Sequence, residues 1–239
     1  AANQPTGPST SPRRAAVIAG VSYVALFALA IFANFFVREG LVESGDATAT
    51  AANIAESEGL FRLGLVSFLV IFALDVVVSW ALYIVFRRTY RDLSLLTAWL
   101  RLVYTVMLGV AAVFFFQALQ LLGGDEFLDV IPTEQLDAQA LVALETFNSA
   151  WLVGLAVFGV HLVFLGNLVM KSGLAPRVLG VVMMIAGVAY VVDTAAHSLL
   201  ADYADHEALF TTIVAVPSVI AEGWFALWLL FGAGTKRSE

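Results

Sequence analysis

The 239-residue sequence has no cysteine and very little charge. Without cysteine there are no disulfides, thiolate metal sites, iron–sulfur clusters or cysteine nucleophiles, and redox compartment cannot be inferred. Charged residues make up 13% of the chain, about half the share of an ordinary soluble domain, too few to coat a globule. No basic run exceeds two residues and the net charge is −7. Nucleic acid is therefore excluded as a partner, because neutralising phosphates takes clustered Lys and Arg. Lysine is nearly absent, and Lys171 and Lys236 both fall at expected membrane boundaries, so no retinal Schiff base is expected. His161 and His197 differ in expected depth by about 15 Å, which removes a haem held between them. The phosphate-loop, H-E-x-x-H and G-x-S-x-G patterns are also missing.

What remains is apolar: 61% of residues are hydrophobic and the mean hydropathy is +0.90. A membrane-crossing helix needs about 20 mostly apolar residues, and six segments qualify, roughly 15-37, 60-86, 93-122, 143-170, 177-200 and 208-233. The expected fold is all-α, a polytopic bundle of six transmembrane helices over 15-233. A flexible tail over 1-14, rich in Pro, Ser and Thr, and a short tail over 234-239 flank it. A signal peptide competes for the first segment, since Arg13 and Arg14 precede an apolar run containing Ala28-Leu29-Ala30. The run continues to Val37, favouring an uncleaved helix. The loop from Arg38 to Gly59 reads as holding a short surface helix, and Thr133 as a helix cap after Gly123-Gly124-Asp125.

With six spans, Arg13, Arg14, Arg87, Arg88, Arg91, Lys171, Arg177, Lys236 and Arg237 share one side, and Arg38 and Arg62 the other. The positive side stays cytoplasmic, so both termini are expected in the cytoplasm, with the chain in the inner membrane of a prokaryote. Small-residue pairs such as Ala16 with Gly20 and Ala150 with Gly154 permit close helix approach, and Pro217 is expected to kink the last helix.

Five ionisable side chains fall inside the spans: Asp75, Arg101, His161, Asp193 and Glu222. Each charge at a helix centre costs about 2.5–3.5 kcal/mol on insertion scales, so they are expected to face the interior and find one another. At about 1.5 Å per residue, Asp75, His161 and Glu222 lie about 15–18 Å from the basic boundary and Asp193 about 24 Å. Arg101 can reach the deeper layer. Tyr190, Asp193, Thr194 and His197 recur on one helical face, as do Ser218 and Glu222, adding Tyr190 and Ser218 to the candidate site.

Three carboxylates against one arginine leave an excess of negative charge that must be balanced. Protons, a cation or a small polar ligand would balance it, in a transport or sensing role. A divalent metal on His161, Asp193 and Glu222 would also do so and would fit an intramembrane metal-dependent lipid hydrolase. A third reading is a structural network in an accessory subunit. The bilayer is the certain partner. The ligand class (ion, small molecule or lipid), enzymatic activity and oligomeric state stay open at this point.

The stretch Gly159-Val160-His161-Leu162, Leu165-Gly166, Lys171-Ser172-Gly173-Leu174-Ala175-Pro176-Arg177-Val178-Leu179-Gly180 and Gly187-Val188-Ala189-Tyr190-Val191-Val192-Asp193 carries a resemblance. So do Tyr83, Trp99-Leu100-Arg101-Leu102, and Glu222 ahead of Trp224 and Leu227. The pattern resembles the bacterial and archaeal six-span family called domain of unknown function 4386, over most of 15-233. Asn167 departs from it, where an aromatic residue is expected. The resemblance implies six helices and places His161, Asp193 and Glu222 in a shared pattern; it implies no activity.

Overall fold

The structure is a computed structural model that describes residues 10–233. Six helices are long and apolar enough to cross a membrane, and among the described residues there is no strand. Helix α1 (Pro12–Ile31) starts earlier than expected. Ser11 accepts from the Arg14 amide at 3.3 Å and Pro12 occupies the first helical turn, a position where its missing N–H costs nothing. Arg13 and Arg14 thus belong to the helix, while the rest of the expected tail, residues 1–9, and the C-terminal 234–239 lie outside the described residues. The chain continues from α1 through wider, π-helical turns at Phe32–Arg38 to Leu41. There Asn34 donates to the Ala30 carbonyl at 3.0 Å and accepts from Arg38 Nε at 3.3 Å.

The expected surface helix is α2 (Ala47–Glu56), capped by Asp46, whose side chain accepts from the Ala49 amide at 2.9 Å. Helices α3 (Glu58–Phe86) and α4 (Arg91–Leu122) follow. Helix α5 (Thr133–Ser172) is the largest departure from expectation: it begins ten residues before 143, with Pro132 rather than Thr133 at the cap position. At 40 residues it measures about 60 Å, twice the thickness of the hydrocarbon core, and its projecting start packs against α2. Gly173 ends it in the left-handed conformation at φ +65°. Helices α6 (Arg177–Leu199) and α7 (Tyr203–Leu227) complete the bundle, and α7 runs through Pro217 and on through π-helical turns at Trp228–Gly232.

Each spanning helix packs on its neighbours in the chain, and α7 closes the ring against α1. Closure is tight at the end bearing the first and last described residues. The Arg13 guanidinium donates to the carbonyls of Leu229, Leu230 and Ala233, at 3.3, 2.7 and 2.8 Å, satisfying orphan acceptors at the helix terminus. Gly20 receives Leu230 in contact, as its pairing with Ala16 predicted, and Tyr23 meets Phe225 edge to face. Toward its start α7 is largely exposed.

Helices α5 and α6 approach most closely. Gly159 faces Gly187 and Gly166 faces Gly180, each so near that a Cβ would collide with the opposing backbone carbonyl. Two apolar clusters fill the ends of the bundle, one holding Phe86, Leu165 and Trp228, the other Phe61, Phe68, Phe115 and Phe147. Asp75 lies between them on α3, with Ile71 in one cluster and Val78 in the other.

Candidate functional site

Asp75 and Arg101 meet across the α3–α4 interface. Arg101 donates from Nε to Asp75 Oδ1 at 2.9 Å and also from a terminal nitrogen to the same oxygen. Its other terminal nitrogen donates to Tyr23 Oη at 2.6 Å. The guanidinium carbon lies 4.8 Å from the Tyr23 ring centre and 5.5 Å from that of Phe158, so aromatic faces supplement the carboxylate in balancing the cation. Thr105 Oγ1 lies 3.3 Å from Asp75 Oδ2. Asp75 and Arg101 are each 2% exposed, and burial at this depth is tolerable because each charge has its opposite in contact.

Beside this pair is a partly open cavity of about 170 Å³, and every one of the six spanning helices contributes to its wall. Its polar wall consists of Asp75, Arg101, Glu222, the tyrosines Tyr23, Tyr104 and Tyr190, and Trp151. The rest is hydrocarbon and aromatic ring. Glu222 has no ion pair and no hydrogen bond among the described residues. Ser218, one turn earlier on α7, is buried beside Tyr190, and Trp151 Nε1 lies near Tyr104; both pairs fall short of full hydrogen-bond geometry. The site thus holds one balanced pair and one carboxylate with no ion pair of its own, whose nearest cation, Arg101, is already engaged by Asp75.

His161 is elsewhere. It is wholly buried, its ring stacked on Phe158 at 5.6 Å, and its Nδ1 is 2.8 Å from the Thr97 carbonyl. That contact requires a proton on Nδ1, leaving Nε2 as a lone pair with no partner. Phe158, one turn away, takes the cavity-facing position and turns His161 toward α4. The ring thus faces Thr97 on α4 and not Asp75 and Glu222.

Asp193 is separated too. It accepts from Tyr203 Oη at 2.7 Å and, with His197, lines a second cavity of about 540 Å³ beside the last turns of α6. Glu39, Glu145, Glu207 and Arg38 share that wall. Among the described residues no group of three or more His, Asp or Glu side chains is arranged to hold a metal ion. The expected ligand set of His161, Asp193 and Glu222 is corrected accordingly: the three residues occupy three different environments. The charge balance changes with it, from three carboxylates against one arginine to two.

Three participants were missed in the sequence. Tyr23 lies ten residues after Arg13, which is the depth of Asp75, so extending the same rule to phenols would have found it. Trp151 and Leu155 border both cavities, a role that no spacing in the sequence signals.

The model of the family described as domain of unknown function (DUF4386) matches residues 18–232. An uncharacterised protein of Archaeoglobus fulgidus is 30% identical over 175 residues, covering 73% of this chain and 86% of the relative. No solved structure matches.

Proposed function

The chain belongs to the family of domain of unknown function 4386, a multi-pass membrane protein with six spans, and we propose that its central cavity binds a proton, a cation or a small polar ligand as part of transport or sensing. One observation carries this reading: a cavity walled by all six spans presents a carboxylate, Glu222, that makes no ion pair or hydrogen bond among the described residues, while the one cation in the cavity wall, Arg101, is held by Asp75. An ionised carboxylate in such surroundings is costly unless something positive joins it. Asp75 and Arg101 supply a fixed, neutral wall. Tyr190 of α6 shares the cavity wall with Glu222, and Ser218 lies one turn before it on α7.

The self-satisfied part of the network, Asp75 with Arg101 and Tyr23, fits a structural role, and the binding role rests on Glu222. A metal-dependent lipid hydrolase is less well supported because its ligands stand apart. Six apolar helices suit an inner-membrane location, and the positive-inside rule supports both termini being cytoplasmic.

The test is thermal unfolding of the purified full chain, wild type against Glu222→Gln, across a pH series and in sodium, potassium and magnesium chlorides and glycine. A ligand at 100 times its Kd adds about 2.7 kcal/mol of stability. At least one of these conditions should stabilise the wild type and leave the variant unmoved. Parallel responses in both proteins under every condition would dismiss the cavity as a binding site.

A further inference from the structure

Resting on the reading of Glu222 as the binding carboxylate, we infer that the ligand of the central cavity is a small organic ammonium cation. Three observations converge. The first is the wall. An alkali or alkaline-earth ion wants several oxygen donors, whereas here Asp75 and the Tyr23 hydroxyl are engaged by Arg101, leaving one carboxylate and the phenols of Tyr104 and Tyr190 among aromatic rings. Rings attract a cation over their faces and suit alkylated ammonium groups in particular.

The second is the way the cavity already holds a cation. The Arg101 guanidinium sits against one carboxylate, one phenol and the faces of Tyr23 and Phe158. Glu222, with Tyr104, Trp151 and Tyr190, offers the same elements a second time, and among the described residues no Arg or Lys side chain forms an ion pair with it. An ammonium group completes that second set as Arg101 completes the first. An anion is disfavoured by the negative balance, and Arg101 is already committed.

The third is size and approach. A cavity of about 150 Å³ admits benzene, and this one measures about 170 Å³, room for roughly five to eight non-hydrogen atoms. A proton alone needs no such space. The neighbouring cavity, separated by Trp151 and Leu155, carries Glu39, Glu145, Asp193 and Glu207 against Arg38. Its excess of carboxylates attracts cations to the side of the bundle next to the central cavity.

Equilibrium dialysis of radiolabelled tetramethylammonium against the purified full chain tests the inference. Saturable binding of one cation per chain is expected, displaced by ethylammonium and not by tert-butanol, a neutral molecule of matching size. Glu222→Gln, shown to be folded by its elution and melting, should bind at least tenfold more weakly. If that variant does not fold, Tyr190→Leu and Tyr190→Phe replace it: the leucine variant should lose about fivefold and the phenylalanine variant, which keeps the ring face, should not. Equal competition by tert-butanol would overturn the inference, reducing the cavity to a site filled by shape. No tetramethylammonium binding, together with stabilisation by protons or metal cations that depends on Glu222, would overturn the ammonium class and leave the binding carboxylate standing. No Glu222-dependent response of any kind would overturn both.

Discussion

Arg101 Nε donates to Asp75 Oδ1 at 2.9 Å while both side chains are almost completely buried. Truncating one member of such a pair strands the other charge at the core, at a cost of about 3–5 kcal/mol. Asp75→Ala and Arg101→Ala should each lose that much in denaturant unfolding from detergent micelles. The double variant Asp75→Leu with Arg101→Met removes both charges and should recover most of the loss. Additive losses in the double variant would mean that the two residues act independently.

The glycine contacts of α5 and α6 yield a second expectation. Gly159→Ala and Gly187→Ala push a methyl group into the opposing carbonyl and should each destabilise by at least about 1–3 kcal/mol, the usual cost of overpacking. Gly223 has nothing within 4 Å of an added Cβ. Gly223→Ala should therefore be neutral or gain up to about 1 kcal/mol through helix propensity. Thermal unfolding of the three variants checks the contrast, and equal losses in all three would contradict it.

Trp151 separates the two cavities, so its removal should ease passage between them. Because the protein has no cysteine, Ala30→Cys introduces a single thiol into the wall of the central cavity. A cationic methanethiosulfonate reagent should modify it at least fivefold faster when Trp151→Ala is added. An unchanged rate would show that the indole is no barrier.

Orientation is open to a similar measurement. Single cysteines replacing Asp129, between α4 and α5, and Ser172, at the end of α5, lie on opposite sides of the span. A membrane-impermeant maleimide applied to intact cells should label position 129 and reach position 172 only after permeabilisation. The reverse pattern would place both termini outside.

The fit and misfit of the sequence reading have one geometric source. Counting residues from a basic boundary gives depth, because a helix rises by a fixed amount per residue; it placed Asp75, His161 and Glu222 in one layer with Arg101 reaching toward it, and Asp75, Arg101 and Glu222 line one cavity. It could not give azimuth in a crowded bundle. His161 shares their depth yet points to Thr97, since Phe158 occupies the inward face. Asp193 shares a helical face with Tyr190, yet at its greater height it meets Tyr203 and the outer cavity. Gly159 and Gly187 stood in the sequence as part of a motif. Their meaning as a point of backbone contact needed the antiparallel register of α5 on α6.

By itself, the sequence determined six membrane-crossing helices, because in lipid every backbone polar group must be satisfied within its own segment and six apolar runs leave no alternative. It also determined that a few charges must be buried together. Only the tertiary structure decided their partners. Helix rotation and register, set by packing of rings and glycines, gave Arg101 to Asp75 and Tyr23, sent Asp193 and His161 away, and left Glu222 without an ion pair in a cavity to which all six spans contribute.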